Sequence, residues 1–177
     1  MVREATPEDA EAIDRVIQET WIDAYTGVEP EEKLAEIREM DEVMPHDDLK
    51  GWIKSDSSIY LVAEEGDEII GEAIIMLEGN EDFMDYTEER FLYSLYVLPE
   101  YQGKGAGTAL LQKSEEVLFE EVEKLKTMVI GENSQAINFY RKRGFEKCGE
   151  TGFGGGEESL LAKEHQTLIL EKLIQDE

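Results

Sequence analysis

Three glycines within five residues, Gly103, Gly105 and Gly107, stand directly before a run of good helix formers in the segment "QGKGAGTALLQ". Glycine weakens a helix and is usually kept where the backbone takes an unusual conformation or approaches a ligand closely. The first N–H groups of a helix have no partner inside it, and the helix dipole adds partial positive charge there. The segment therefore predicts a phosphate site made of backbone amides, with Lys104 as a nearby cation.

Two common nucleotide-binding motifs do not fit this segment. The dinucleotide fingerprint G-x-G-x-x-G needs glycine at Thr108 in one register, and glycine or alanine at Leu110 in the other. The phosphate loop G-x-x-x-x-G-K-[ST] also fails, because no Gly-Lys-Ser/Thr follows at the required spacing. The alternative to a phosphate cradle is a flexible turn at the end of a strand, which explains one or two glycines but not three.

Metal-ligating and nucleophilic residues are sparse. Cys148 is the only cysteine, so an intrachain disulfide is excluded, and His46 and His165 do not form a Cys/His cluster of zinc spacing. We predict no metal site, a buried Cys148, and two histidines that are structural or exposed. The absence of disulfides fits a reducing cytoplasm.

The net charge of the chain limits the classes of molecule that it is expected to bind. Its 177 residues include 43 Asp and Glu against 17 Lys and Arg, which gives a formal net charge of -26. The negative electrostatic field of such a chain disfavours binding to nucleic acid and to anionic membrane surfaces. The acidic residues could either adapt the protein surface to high salt or attract cationic substrates. The N-terminal segment lacks the apolar core of a signal peptide, and no apolar run approaches the ~20 residues of a membrane helix, so we expect a cytoplasmic protein.

The elements that position the glycine segment follow from hydrophobic periodicity and turn residues. A short strand and a helix from Pro7 to Gly27 come first, and two shorter helices follow. Predicted strands lie at 59–65 and 69–78, joined as a hairpin, and at 90–98, 126–131, 145–153 and 165–174. Predicted helices run from the glycines to about Leu125 and over 133–144. The pattern indicates one mixed α/β or α+β domain with the glycines at a strand-to-helix junction.

Two segments carry a family resemblance. "LYVLPEYQGKGAGTALL" resembles the acetyl-CoA-binding motif of the GNAT superfamily of N-acetyltransferases, whose pattern Q/R-x-x-G-x-G/A is met by Gln102, Gly105 and Gly107. "NSQAINFYRKRGF" is similar to the second signature of that superfamily, which is an asparagine, a small-apolar pair, a tyrosine and Gly-Phe. The two segments follow each other in the order of the family, with a predicted helix and strand between them.

The resemblance implies a fold and a domain organisation. The implied fold is the acyl-CoA N-acyltransferase (GNAT) fold, of the α/β (α+β) class, with a mixed central sheet of about seven strands flanked by helices. We expect one GNAT domain over residues 1–177. The acceptor-site helices would lie mainly at 7–54 and the acetyl-CoA-binding core at 59–150.

The resemblance also implies a site for acetyl-CoA, the acetyl donor. Pantetheine contacts are expected from Leu95, Tyr96 and Val97. Pyrophosphate contacts are expected from Gln102, Gly103, Lys104, Gly105, Ala106, Gly107 and Thr108. Asn133 would contact the cofactor from the next helix, and Tyr140 would lie near the thioester sulfur as the acid that protonates the leaving thiolate. The alternative for Tyr140 is an ordinary core aromatic.

The general base is where this chain departs from the family pattern. Some family members carry a glutamate on the strand before the glycine loop, but Phe91 stands at the corresponding place here. Glu72, Glu89 and Tyr93 are the nearby candidates, and a water relay to solvent is a further alternative. Of these we select Glu72 as the predicted base.

The acceptor site is expected to include the first helix. Trp21 and Tyr25 are four residues apart and therefore share one helix face. They could wall an amine pocket, with Glu29 or Asp23 attracting the ammonium group, or they could be core residues that dock the helix on the sheet.

The predicted function is acetyl-CoA-dependent transfer of an acetyl group directly to a primary amine. The acidic composition favours a small amine or polyamine as acceptor over a protein N-terminus or lysine. The other alternative is a non-catalytic acyl-CoA-binding regulatory module. Expected partners are thus an amine-bearing acceptor, small molecule or protein, without nucleic acid or membrane, and a homodimer remains open.

Overall fold

The computed structural model describes residues 1–78, 90–152 and 165–175. Its strands are β1 (Val2–Glu4), β2 (Ser58–Glu65), β3 (Glu68–Met76), β4 (Phe91–Val97), β5 (Lys124–Ile130), β6 (Glu146–Gly152) and β7 (Gln166–Leu173). Its α-helices are α1 (Ala10–Tyr25), α2 (Glu31–Glu39), α3 (His46–Ile53), α4 (Ala106–Leu118) and α5 (Ser134–Arg141).

The described strands form one seven-stranded sheet in the order β1-β2-β3-β4-β5-β7-β6. Neighbouring strands are antiparallel except β4 and β5, which are parallel. A parallel pair needs a crossover, and α4 supplies it between these two strands. The predicted mixed sheet flanked by helices is confirmed.

The hairpin of β2 and β3 is also confirmed. Glu65 lies opposite Glu68, and Gly66 in the turn between them has a φ of 63°, a left-handed conformation that glycine adopts without steric cost. This hairpin places β3 beside β4, so that the strand before the glycine segment lies between β3 and β5.

Helices cover both faces of the sheet. On one face α4 and α5 pack on a buried apolar core that includes Ala73, Ile75 and Leu92. On the other face α1, α2 and α3 pack on a second core that includes Val62 and Ile74. Side chains alternate between the two faces along each strand, so the central strands β2, β3, β4 and β5 supply both cores.

The end of α4 differs from the sequence prediction. The helix ends at Leu118, whereas the prediction continued it to about Leu125, which lies in β5 and is fully buried. Leu118 and Leu125 are spaced for one helix face, but Leu125, Thr127 and Val129 are also buried in strand alternation. Packing of β5 between β4 and β7 decides in favour of the strand.

Candidate active site

Strands β4 and β5 separate at their carboxyl ends, beside the glycine segment. They are in register at Leu92 and Thr127, where Thr127 Oγ1 also donates a hydrogen bond to the Leu92 carbonyl over 2.9 Å. Beyond these residues, the ladder of the described chain pairs β4 with β3 alone and β5 with β7 alone. The opening between the two strands is called here the β4–β5 gap.

The end of β4 presents its backbone to this gap at alternate residues. The Leu98 N–H donates to a carbonyl of β3, so Tyr96 also directs its backbone toward β3, and Leu95 and Val97 direct theirs toward the gap. The Val97 carbonyl accepts a hydrogen bond from Gln102 Nε2 at 3.0 Å. Of the three predicted pantetheine contacts, two therefore have backbone groups at the gap, and Tyr96 contributes its side chain to the α1 face.

The glycine segment forms an open cradle at the start of α4. Gly103 and Gly105 have φ values of 73° and 100°, and a Cβ built on either would meet no other atom of the described chain within 4 Å. None of the backbone N–H groups of 103–108 donates a hydrogen bond within that part of the chain. Lys104 Nζ lies 5.1 Å from the centre of the Tyr101 ring. Unpaired amides at a helix N-terminus are suited to an anion.

The third glycine serves helix packing. A Cβ on Gly107 would stand 3.3 Å from the Phe139 ring of α5, closer than most side-chain contacts. Asn133 caps α5, because its Oδ1 accepts a hydrogen bond from the Ala136 N–H over 3.0 Å. The close approach at Gly107 packs α5 against α4, and the Asn133 cap stabilises the start of α5. Both residues are also predicted cofactor contacts, and the glycine spacing alone does not reveal the packing role of Gly107.

Tyr140 stands on α5 and is 5% exposed. The rings of Phe139 and Phe145 pack edge-on against it, each with its centre 5.1 Å away. Burial raises the pKa of Tyr140 to about 12, the Thr127 side chain acts in the opposite direction, and the charge of Glu72 adds to the increase. The phenol therefore keeps its proton at neutral pH, beside the residue from which the β4–β5 gap opens.

Glu72 lies in the middle of β3 and is fully buried. Its Oε2 accepts a hydrogen bond from Ser94 Oγ of β4 at 3.2 Å, and its Oε1 is buried without a hydrogen-bond partner in the described chain. Burial raises the pKa of Glu72 to about 8, and the Ser94 hydroxyl opposes this increase. The carboxyl group is thus poised to gain or lose a proton near neutral pH.

Trp21 and Tyr25 stand on the face of α1 that covers this part of the sheet. Trp21 is half-buried. Burial raises the pKa of Tyr96 well above its usual value, and a hydrogen bond with the Trp21 side chain acts in the opposite direction. Tyr25 is 8% exposed and its ring centre lies 6.4 Å from that of His165. Both residues contribute to the apolar core under α1, and they lie on the same face of the sheet as Tyr96.

A charged cluster that the sequence analysis missed lies beside Tyr25. His165 Nε2 is 2.8 Å from Glu29 Oε1, and His165 Nδ1 is 3.1 Å from Glu132 Oε1. Burial lowers the pKa of His165, but the hydrogen bonds and charges of Glu132 and Glu29 outweigh it and leave the pKa above its usual value. Glu29 also pairs with Lys33 at 3.4 Å. Of the two acids predicted to attract an ammonium group, Glu29 is buried in this cluster and Asp23 is exposed.

Comparison with known families decides the identity of the fold. The family model described as "Acetyltransferase (GNAT) family" matches residues 15–145. This chain belongs to the GNAT family of acetyltransferases. An uncharacterized N-acetyltransferase of Bacillus subtilis, YuaI, is 29% identical over 154 residues, which cover 86% of this chain and 83% of the relative.

Solved structures share the GNAT fold. The PaiA N-acetyltransferase of Thermoplasma acidophilum, solved in complex with coenzyme A, superposes with a TM-score of 0.74 at 24% identity and 98% coverage of both chains. The ribosomal-protein-S18-alanine N-acetyltransferase of Escherichia coli gives a TM-score of 0.65 at 16% identity, over 100% of this chain and 95% of that one. At these identities the likeness establishes the fold.

This GNAT protein is an acetyltransferase whose acetyl donor is acetyl-CoA. The cradle fits the anionic part of that donor, because its amides are unpaired and a side chain on Gly103 or Gly105 would occupy the open space. The gap lies directly upstream of the cradle and offers backbone groups of Leu95 and Val97 to an amide-bearing arm.

Tyr93, another candidate for the base, is less suitable than Glu72. Phe91 is buried at the start of β4, with its ring centre 6.3 Å from that of Tyr93. Burial, together with the charge of Glu72, raises the pKa of Tyr93 to about 12, so this phenol is rarely ionised at neutral pH. Glu89 lies outside the described residues.

Three further expectations concern features away from the gap. Cys148 was expected to be buried, but it is exposed on β6, which is an edge strand. Across residues 1–78, 90–152 and 165–175, no group of His, Cys, Asp and Glu side chains is arranged to hold a metal ion. Within the same ranges, none of the helices combines the length and apolar character needed to span a bilayer.

Proposed function

We propose that the protein transfers the acetyl group of acetyl-CoA directly to a primary amine, with Glu72 as the proton acceptor and Tyr140 as the proton donor. The observation that supports this most strongly is the unpartnered Oε1 of a fully buried Glu72. A buried carboxylate with an unsatisfied oxygen destabilises a fold. We infer that this oxygen accepts a proton from the amine during each turnover, which would explain why the carboxylate is retained at a buried position.

The two residues have complementary proton affinities. Acetyl-CoA supplies the acetyl group as a thioester, so the reaction forms a C–N bond, breaks a C–S bond, and yields an amide and a free thiol. The pKa of about 8 lets Glu72 take a proton from the amine near neutral pH. Tyr140 holds its proton at the same pH, since its pKa is about 12, and can give it to a departing sulfur.

The cofactor-binding role of the other predicted residues remains our proposal. We assign the pyrophosphate to the amides of 102–108, and the pantetheine arm to the gap beside Leu95 and Val97. Asn133 would act by fixing α5 rather than by direct contact, since its side chain caps that helix. In this proposal the chain is one GNAT domain, with acceptor-site helices mainly at 7–54 and the cofactor core at 59–150.

The acceptor that we propose is a small amine or polyamine. The support is electrostatic, since 43 acidic residues stand against 17 basic ones in the sequence. Glu72 also lies two residues from Ile74 on β3, and therefore on the face of the sheet covered by α1. The aromatic side chains of Trp21 and Tyr25 lie on that face as well, and aromatic rings stabilise an ammonium group that approaches them.

The test is release of free thiol from acetyl-CoA with a panel of acceptors. The panel contains monoamines, diamines and polyamines, a peptide with a free N-terminus, and a peptide whose only amine is lysine. We expect transfer to the small amines. Transfer to peptides alone would replace the acceptor assignment, and CoA binding without transfer to any acceptor would indicate a regulatory module.

The Tyr140→Phe variant separates the donor role from packing. We expect it to bind CoA as the wild type does and to lose about 10²-fold in turnover, because only the hydroxyl is removed. Tyr101→Phe is the matched control, since the Tyr101 hydroxyl donates to Glu68 at 2.8 Å and lies outside the gap. Unchanged turnover in Tyr140→Phe would remove Tyr140 from the mechanism.

A further inference from the structure

Arg143 follows α5 and contacts both helices beside the cradle. Its Nη2 donates a hydrogen bond to Thr108 Oγ1 at 2.5 Å, and its Nη1 donates to the Phe139 carbonyl at 2.8 Å. The guanidinium carbon lies 3.8 Å from the centre of the Phe139 ring. The side chain is thus held in place from two sides, next to the first turn of α4. Neither of the two signature patterns includes it.

The charge of Arg143 has no acidic partner. Acids outnumber bases by 43 to 17 in the sequence, yet within the described chain no carboxylate lies at ion-pair distance from this half-buried guanidinium. Its Nε is also buried without a hydrogen-bond partner there. A guanidinium remains charged at every accessible pH, so this site holds a permanent positive charge beside the unpaired amides of 103–108.

The contact with Thr108 also determines what the threonine hydroxyl can do. A hydroxyl carries one donor hydrogen and two acceptor lone pairs. Arg143 occupies a lone pair, so the hydrogen of Thr108 is available to an acceptor on another side. Thr108 lies in the first turn of α4, where the preceding N–H groups of Ala106 and Gly107 are unpaired donors as well.

We propose that Arg143 is a positioning residue for the pyrophosphate of CoA. It orients the Thr108 hydroxyl as a donor to a phosphate oxygen and supplies the positive charge that the phosphate pair balances. The inference rests on the cofactor cradle proposed above. It adds to the cradle one side-chain donor and one permanent charge, which the backbone amides do not provide.

The test is calorimetric binding of three probes: CoA, dephospho-CoA, which lacks the 3′-phosphate, and pantetheine, which lacks every phosphate. Arg143→Gln is expected to weaken binding of CoA and dephospho-CoA by the same factor, about tenfold, and to leave pantetheine binding unchanged. Thr108→Val should act in the same way, and the double variant should lose less than the product of the two single effects. Thr108→Ser keeps the hydroxyl and should recover the affinity that Thr108→Val loses. Lys142→Gln is the control that removes an adjacent charge, and it should bind like the wild type.

Three results would overturn the inference. Loss of CoA binding with dephospho-CoA spared would assign Arg143 to the 3′-phosphate. An equal loss for pantetheine would show a general structural role, and independent effects of the two substitutions would separate Arg143 from Thr108. Failure of the wild-type protein to bind any probe would instead refute the proposed cradle itself, which the variant measurements distinguish from failure at Arg143.

Discussion

The surroundings of Glu72 are unfavourable for the ionised form of its carboxyl group. It is fully buried, its single hydrogen bond in the described structure comes from Ser94, and burial raises its pKa to about 8. Each tenfold change in proton affinity between folded and unfolded states is worth about 1.4 kcal/mol of stability. Ionisation of Glu72 therefore lowers the free energy of unfolding. A residue selected only for packing would not have this destabilising effect.

Substitution of Glu72 by Gln should make the protein more stable over a defined pH range. The folded pKa lies above the unfolded value of 4.5, so the wild type loses stability as the pH rises from about 4.5 to about 8, and the neutral amide does not. We expect the variant to gain a free energy of unfolding of a few kcal/mol, relative to wild type, by pH 8. Urea unfolding of both proteins from pH 4 to 9 measures this difference, and a difference independent of pH would contradict the account.

Residues with local signals could be predicted from the sequence, and residues defined by long-range contacts could not. The crowded glycines, Tyr140 and Glu72 were selected from motif spacing and strand position. The cluster of His165 joins residues 136 positions apart, and the contact of Arg143 joins positions 35 apart. No local pattern reveals such pairs, because they exist only after the sheet has brought distant segments together.

The three glycines around the start of α4 have two different functions. Gly103 and Gly105 have positive φ and face open space, whereas Gly107 lies against Phe139. Sequence alone attributed all three to the phosphate, because glycine spacing does not distinguish an open side from a packed one. The end of the same helix was placed too late for a related reason, since apolar spacing near Leu125 satisfied both helix and strand.

Substitutions at Gly105 can separate charge from backbone strain. Gly105→Asp and Gly105→Asn share a similar shape and the same unfavourable φ near 100°, so both should lose thermal stability to a similar degree. Only aspartate adds a negative charge at the proposed pyrophosphate site. We expect at least a tenfold weaker CoA affinity for the aspartate than for the asparagine variant. Equal affinities in a titration at low salt would argue against an anion at this position.

At the scale of the whole molecule, the sheet separates two kinds of surface. The core under α4 and α5 carries Tyr140 and adjoins the cradle, while the core under α1 carries Tyr25 and adjoins Glu72. In the proposed mechanism, acetyl-CoA is held at the β4–β5 gap beside the cradle, and the amine approaches from the face covered by α1.

The fold was more predictable than the acceptor. Strand alternation, helix caps and the hairpin turn are local, and they predicted the element order that the structure has, apart from the end of α4. The surroundings of Tyr25 depend on long-range contacts, such as the ion pair between Glu29, before α2, and His165, before β7. A net charge of -26 states only that the surroundings favour a cation and says nothing about its shape.

The most direct test of the proposed mechanism is the pH dependence of kcat/KM for wild type and Glu72→Gln, measured with two amine acceptors of different pKa. For the wild type, we predict a rise in rate through an apparent pKa near 8 that is the same for both acceptors, in addition to a rise that follows the pKa of each amine. In Glu72→Gln the shared rise should be absent and the rate lower by about 10²-fold. Identical profiles and rates for the two proteins would contradict the assignment of Glu72 as the base.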